Sequence, residues 1–300
     1  DETNGMASMN NATSFLCARF GTTTFTSISN LDGSEILEYT AYLDDVPFDL
    51  RHGDLASGCA DDAIPFDECN YKLYYAHEGP GQNGYALWEV TLDSGDGAAS
   101  YNELEANIGG AHIALAPDGS ELYVVRHNGS NVRTYEFGTG FVNDQNIQTA
   151  GGQTLSGFPS AVCGDDGTLY AGDESSNQVY TIDPADGTAS AFGPSTPLNG
   201  GDLIFAGGEL WSIHRTNNKA YLVSDGGATS FDIPVNQMNG ATVLDNDNLL
   251  VADGGSMMFR ELDISDPNNV VIVNNYNTGV DLNNGDLAGR CTGPQDDGQE

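Results

Sequence analysis

One short pattern recurs along this 300-residue chain, and its spacing limits the folds that the chain can adopt. Each copy has an apolar run, a turn rich in Gly, Asp or Asn, and a second apolar run. The clearest copy extends from His112 to Gly140, where the turn at Pro117 to Gly119 separates Ile113 and Leu115 from the run that begins at Leu122. Short apolar runs separated by such turns predict antiparallel β-strands.

The second run of each copy contains a leucine, and these leucines mark the period of the repeat. The successive spacings are 49, 47, 41 and 39 residues, between Leu73, Leu122, Leu169, Leu210 and Leu249. A period of about 40 to 50 residues with four strands per copy is typical of the blades of a β-propeller. The sequence therefore predicts an all-β fold of this class.

The two ends of the chain predict one more blade. Gly285 to Gly289 nearly duplicates Gly53 to Ser57, which we interpret as the innermost strand of the blade that contains Leu73. The segments Ser14–Phe20, Thr23–Ser29 and Glu35–Leu43 would supply the three remaining strands. Pairing strands from both termini removes exposed sheet edges. We therefore predict six four-stranded blades, with the ring closed by N- and C-terminal strands in one blade.

The stretches PDGSELYVV, GTLYAGD and TIDPADGT resemble the blades of NHL-type and YVTN-type β-propellers, and the resemblance covers nearly the whole chain. It implies the fold. Blades of this kind serve lyases, lactonases, binding scaffolds and cell-surface modules, so a fold-level resemblance does not choose among functions. No catalytic motif of these families matches this sequence residue by residue.

Length and charge set further expectations. The repeat leaves no linker, so we predict one domain from 14 to 292 between polar tails at 1–13 and 293–300. The chain has 44 acidic and 9 basic residues and a formal net charge of −35. Nucleic acid and anionic membranes would be repelled at long range, and no apolar run approaches the roughly 18 residues of a membrane span. We expect neither nucleic-acid binding nor membrane insertion.

Several features favour a secreted protein at the cell surface or in the extracellular space. The chain begins with Asp1, which indicates a processed N-terminus from which a signal peptide has been removed. Cys59 and Cys69 bracket one acidic loop, and Cys17 and Cys291 lie on strands predicted to be neighbours, so we predict two disulfides and a free, buried Cys163. Sequons at Asn11 and Asn128 predict glycosylation.

The predicted strands place all five histidines at one end of the blades. Other polar residues occupy matching positions, and this His/Arg face comprises Arg51, His52, His77, Glu78, His112, Arg126, His127, Asp173, Glu174, His214, Arg215 and Asp253. Such a face could bind an anionic or polar ligand or supply acid and base groups, with His77, His127, Arg126 and His214 as catalytic candidates. Alternatively, strand ends simply tolerate polar residues.

Three innermost strands are predicted to begin with an aspartate, at Asp54, Asp202 and Asp286. Carboxylates that converge on a propeller axis could hold calcium, although the sequence requires no cofactor. Alternatively, each aspartate accepts hydrogen bonds from backbone amides of a neighbouring blade.

We interpret the chain as a structural or binding module whose partners are copies of itself, other extracellular proteins or glycans. The sequence contains no nucleophile elbow, metal-ligand motif or phosphate-binding loop. A propeller lyase or hydrolase acting on a polysaccharide or small ester is one alternative. For it, His77 and His127 on adjacent predicted blades form the smallest catalytic cluster together with Arg126. A lectin-like carbohydrate binder is the other alternative.

Overall fold

The computed structural model describes residues 70–77, 85–93, 95, 97–127, 129–283 and 285–292, together with the backbone of six strands between Thr3 and Pro47. The chain divides into two compact units, Asp1–Glu68 and Cys69–Glu300, where the sequence predicted one domain. Every described element is a strand, a turn or an irregular segment. Among these residues there is no helix long and apolar enough to cross a membrane.

The first unit contains a four-stranded antiparallel sheet, in which each strand pairs with the next along the chain. A separate two-stranded ladder follows it. The strands are β1 (Thr3–Ser8), β2 (Ser14–Arg19), β3 (Thr24–Ser29), β4 (Glu35–Thr40), β5 (Tyr42–Leu43) and β6 (Val46–Pro47). Strand β1 lies inside the segment 1–13 that the sequence predicted as a polar tail.

The second unit contains sheets of four, five, four and eight strands. The eight-stranded sheet consists of two four-stranded halves joined by one residue pair, Asn277 and Ala98, so we describe five four-stranded antiparallel blades, I to V. Blade I comprises β27 (Asp286–Thr292), β7 (Asn70–His77), β8 (Ala86–Asp93) and β9 (Ala98–Glu105). Blade II comprises β10 (Ala111–Leu115), β11 (Glu121–Arg126), β12 (Asn131–Glu136) and β13 (Gly140–Asn146). Blade III comprises β15 (Ser160–Cys163), β16 (Leu169–Asp173), β17 (Gln178–Ile182) and β18 (Thr188–Phe192), with the short β14 (Gln148–Thr149) beside β18.

Blade IV comprises β19 (Asp202–Ala206), β20 (Glu209–His214), β21 (Lys219–Leu222) and β22 (Ser230–Asp232). Blade V comprises β23 (Met238–Val243), β24 (Leu249–Asp253), β25 (Met258–Asp263) and β26 (Val271–Asn277). The five leucines that defined the repeat all lie in the second strands β7, β11, β16, β20 and β24, as predicted.

The innermost strands contact one another in cyclic order, β27 to β10, β15, β19, β23 and back to β27. Five buried apolar clusters fill the junctions between successive blades. The β-propeller class is thus confirmed. The predicted number of six blades is not confirmed, because the described part of the second unit closes with five.

The C-terminal strand has a different partner from the one predicted. Strand β27 pairs with β7 over seven residues, from Asp286 opposite Ala76 to Thr292 opposite Asn70. The sequence predicts Gly285 to Gly289 in the blade of Ser14 to Leu43, but the strands of that segment pair with each other. The reason is packing: Leu287 is buried against blade V and Ala288 against blade II, so β27 fills the inner position between these blades.

Candidate functional site

Some predicted positions lie outside the described residues. They are Arg51, His52, Asp54, Glu78, Asn11, Asn128, Cys59 and Cys69, and the side chains of Cys17 and Cys291. Cys163 is free and buried, as predicted, and burial raises the pKa of its thiol to about 11. The described members of the His/Arg face begin innermost strands or lie at the end of second strands.

Two carboxylates of the face stabilise the turns that follow their own strands. Asp173 accepts hydrogen bonds from the backbone N–H and hydroxyl of Ser175 and from the hydroxyl of Ser176, at 2.6 to 2.9 Å. Asp253 accepts the Gly255 backbone N–H at 3.0 Å and the Arg260 Nε at 2.6 Å. Both side chains are buried. Their acceptor atoms are therefore directed to local structure, as in other Asx turns.

Two histidines of the face are also held by their surroundings. His77 is buried, stacks on Tyr75 at 5.3 Å between ring centroids, and has Nε2 3.0 Å from the carbonyl oxygen of Asn283. The Nδ1 of His214 accepts the backbone N–H of Asn217 at 3.2 Å, and burial lowers the pKa of His214. These contacts fix both rings to their own neighbourhoods.

Polar residues at the start of the innermost strands form a buried group that we call the axial cluster: His112, Ser160, Asp202 and Asp286. Asp286 of blade I accepts the backbone N–H of Ile113 in blade II at 2.6 Å. Asp202 of blade IV accepts the backbone N–H of Ala241 in blade V at 2.7 Å, and that of Leu203 at 2.7 Å. Each carboxylate thus joins two blades, which is the second of the two roles that the sequence suggested.

The two axial carboxyl groups interact with each other and are fully buried. Burial is the main cause that raises the pKa of both groups, and the neighbouring Asp286 raises the pKa of Asp202 further. Two adjacent buried carboxylates strongly disfavour double ionisation. The pair therefore retains a proton at pH values where separate carboxyl groups are ionised.

The structure brings His127 close to His112, the histidine that begins the innermost strand of the same blade. The ring centroids are 5.6 Å apart, and His112 Nδ1 is 3.3 Å from Asp286 Oδ1 without hydrogen-bond geometry. Burial lowers the pKa of His112 to about 4, although the charges of Asp202 and Glu174 oppose this shift. Burial and then His112 lower the pKa of His127. Both rings are neutral at pH 7, so they contribute no positive charge to this face.

A cavity of about 400 Å³ occupies the middle of the ring. Its wall is made by all five innermost strands, including Ile113, Ala161, Leu203, Ala241 and Leu287. The residues that immediately precede these positions include the buried axial cluster, which therefore closes one end of the cavity. The other end is bordered by turn residues, namely Asp165, Gly207, Gly208 and Asp247.

Sequence reasoning missed Arg290, which lies at this second end. Its Nη1 donates to the carbonyl oxygens of Cys163 and Gly164 at 3.3 and 3.2 Å, and its guanidinium forms an ion pair with Asp165. The contact joins blade I to blade III across the mouth of the cavity. The sequence signal that could have identified it is its position four residues after Asp286 on the same inner strand, toward the end opposite that aspartate.

The described residues include no group of three or more His, Cys, Asp or Glu side chains arranged to hold a metal ion. Asp54, the third predicted ligand, lies outside the described part of the chain. The calcium site stays a prediction.

No protein-family model matches the chain, and no curated protein sequence does. Solved structures do match. A chain of a nidogen/laminin complex is 11% identical, with a TM-score of 0.50, over 75% of this chain and 100% of that chain. A streptogramin B lyase is 13% identical, with a TM-score of 0.39, over 90% of this chain and 82% of that one. Virginiamycin B lyase from Staphylococcus aureus is 13% identical, with a TM-score of 0.39, over 91% and 69%.

Similarity at these identities concerns the fold alone. Together with the ring of blades, the match to the chain of the nidogen/laminin complex places this chain among the β-propellers. A shared fold does not specify a function, so the function has to be argued from the side chains of this chain.

Proposed function

We propose that this chain is a secreted, extracellular β-propeller that serves as a binding or structural module and assembles with copies of itself. One observation carries the proposal: four described side chains of the His/Arg face, namely those of His77, Asp173, His214 and Asp253, are held by their own neighbouring residues rather than directed at one common point. Asp173 and Asp253 hold turns, His214 accepts from its own turn, and His77 packs on Tyr75. General acid and base groups need contact distances near 3 Å to one substrate.

Charge supports the same proposal. With 44 acidic and 9 basic residues, the chain repels polyanions, and His112 and His127 add no positive charge at pH 7. We expect other extracellular proteins or glycans as further partners and no nucleic acid. The stretches PDGSELYVV and GTLYAGD contain turn residues and the second strands of blades II and III. We assign these blades to the NHL/YVTN type of repeat.

Secretion is tested by the state of the cysteines and sequons. We expect native protein to contain the disulfides Cys59–Cys69 and Cys17–Cys291, because an oxidising compartment preserves such bonds. Peptide mass spectrometry without reduction identifies the pairs and any glycan at Asn128. Fully reduced cysteines in protein from its native source would contradict the extracellular assignment.

The proposed module is tested by measuring assembly and catalysis on the same preparation. We expect light scattering to show a mass that rises with concentration, and we expect no turnover of polysaccharides or small esters. His127→Ala should leave fold and assembly unchanged. Turnover by the parent that His127→Ala abolishes would refute the module and establish the enzyme.

One observation favours the lyase or hydrolase as a second candidate. His127 is half-buried, has a lowered pKa, and lies against His112 with the charge of Glu174 nearby. A neutral imidazole in such surroundings can accept a proton from a substrate. If this candidate is correct, Glu174→Gln should shift the acidic limb of the pH profile, since the negative charge of Glu174 raises the pKa of both histidines.

A further inference from the structure

The outermost strand of blade V is unusual in its exposure. In β26, Val271, Ile272 and Val273 are 41, 36 and 45% exposed and follow one another directly. On the side away from β25, the ladder of β26 with β9 consists of the pair Asn277 and Ala98. Residues 271 to 274 therefore form a segment with three exposed apolar side chains, and its outer backbone edge has no strand beside it in the described part of the chain.

The strand is held in this position by hydrogen bonds from two of its side chains to β25. Asn274 and Tyr276 donate to the carboxylate of Glu261 on β25, both at 2.7 Å. The same carboxylate accepts from Asn246 and Asn248 at 2.9 and 2.6 Å. The two hydrogen bonds from Asn274 and Tyr276 to this buried carboxylate fix the register of β26 against β25. The three apolar side chains are thus exposed by the register of the blade itself.

The outer strands of the other blades are protected in ways that β26 lacks. Strand β13 carries Asp144, and β9 carries Glu103 and Glu105. Strand β22 has three residues and ends at Asp232, whereas β18 is covered by β14. Charges, short length and a covering strand are the usual protection against edge pairing. From Asn268 to Val280 the chain contains no charged residue.

The charge pattern indicates which partner fits this edge. A basic partner would be attracted to the acidic surface that the net charge of −35 produces, and not to an uncharged strip. Two copies of the chain repel each other wherever acidic surfaces meet, and this repulsion is weakest at the strip. A strand edge is also self-complementary, since two identical strands can pair antiparallel about a two-fold axis.

We propose that two copies of this protein associate by antiparallel pairing of their β26 strands over Val271 to Asn274. The proposal rests on the proposed self-assembly and names the surface responsible. Because the inner edge of β26 is already paired with β25, this contact closes after two copies and forms a dimer. Val273 is the extra residue of a β-bulge opposite Glu261 and Leu262, which confines the pairing to a short segment.

The contact is small, so the dimer is weak. Stable interfaces bury roughly 800 Å² on each partner, and one short strand with three apolar side chains offers less. We therefore expect a concentration-dependent equilibrium that strengthens with salt, because about 1 M salt reduces the Debye length to about 3 Å and screens the repulsion between the acidic surfaces.

Sedimentation velocity on the full chain tests the proposal with a matched pair of variants. Val273→Lys places a charge on the edge strand, so it should weaken association at least about tenfold if the two edges pair. The same substitution lowers the net negative charge, so it would strengthen an association that is governed only by repulsion between the acidic surfaces. Val142→Lys is the control, because Val142 is 46% exposed on the outer strand β13. We expect the control to associate like the parent, and both variants to keep the parent's thermal unfolding midpoint.

Three results would overturn the proposal. Equal association of parent and Val273→Lys would remove β26 from the interface while leaving self-assembly intact. A parent that remains monomeric at high concentration in about 1 M salt would refute self-assembly as well. A midpoint lowered in Val273→Lys and not in Val142→Lys would show that β26 is covered within its own chain.

Discussion

The strongest prediction concerns the pH dependence of stability, and it follows from the burial of His112. This ring is 8% exposed among the innermost strands, with Asp202, Asp286, Glu174 and His127 around it. Burial lowers its pKa from 6.5 to about 4. The folded protein therefore holds a neutral His112 in a pH range where the unfolded chain holds a charged one. Replacing the ring by His112→Asn removes this difference.

The sign and size of the effect follow from proton linkage. Because the folded-state pKa is depressed, the stabilisation is present above the unfolded pKa near 6.5 and is lost as pH falls toward 4. Between pH 7 and pH 4 the parent should lose roughly 3 kcal/mol of unfolding free energy through this group alone. The raised pKa values of Asp202 and Asp286 act in the opposite direction, since their contribution is lost as pH rises. Both aspartates remain in the variant.

The assay is urea unfolding followed by the fluorescence of Trp88 and Trp211 at a series of pH values from 7 to 4. We expect the unfolding free energy of the parent to fall more steeply with acidification than that of His112→Asn, by a total on the order of 3 kcal/mol. His214→Asn is the control, because its partly exposed ring should change the slope much less. Parallel pH profiles for the parent and His112→Asn would refute the argument.

Three further predictions use buried polar groups. Ser160→Ala should change stability little or raise it, because the buried Ser160 hydroxyl has no partner in the described structure. Ser212→Ala should cost about 1 kcal/mol, because the Ser212 hydroxyl donates to the carbonyl oxygen of Pro197 at 2.8 Å, and chemical denaturation of both variants gives the comparison. Burial raises the pKa of Glu261, but its hydrogen bonds, led by the one from Asn274, lower this pKa by more. The stabilisation that the carboxylate provides is therefore lost as pH falls, and Glu261→Gln should cost roughly 2 to 4 kcal/mol at pH 7 and less at pH 3. Cys163 should react with a thiol reagent in the native state far more slowly than after unfolding, because its pKa is about 11; labelling of the parent against Cys163→Ala measures this, and rapid native labelling would contradict the burial.

The parts of the fold that were predictable are those encoded by local pattern. A leucine in each second strand and a turn rich in Gly, Asp or Asn before it determined the first hairpin of blades II to V, from Leu122 to Leu249. The role of Asp202 as an acceptor for a backbone N–H group of a neighbouring blade could also be predicted from the sequence. A carboxylate at the start of an inner strand lies next to the unpaired edge of the neighbouring inner strand, where backbone N–H groups need acceptors.

The partner of the C-terminal strand was not predictable from pattern, because Gly53 to Ser57 and Gly285 to Gly289 carry nearly the same residues. Which copy joins β7 depends on how the ring closes, and this is decided by the burial of Leu287 and Ala288 between distant blades. The contact of His112 with His127 has the same origin. The position of a histidine in its strand predicts the end of the blade at which the imidazole ring lies. Side-chain packing determines which of these rings come into contact.

The hydrogen bonds between blades give a physical reason to expect partner binding at the periphery of this propeller rather than near its axis. Asp286 joins blade I to II, and Asp202 joins IV to V. Thr242 donates to the Gly289 carbonyl oxygen and joins V to I. Side chains near the axis therefore hold the ring together, and replacing them to suit a ligand would weaken ring closure. An outer strand such as β26 does not hold the ring closed, because its outer edge makes few contacts within the blade. It can present an apolar edge to another molecule without a penalty to the fold, which is the property that an assembling module needs.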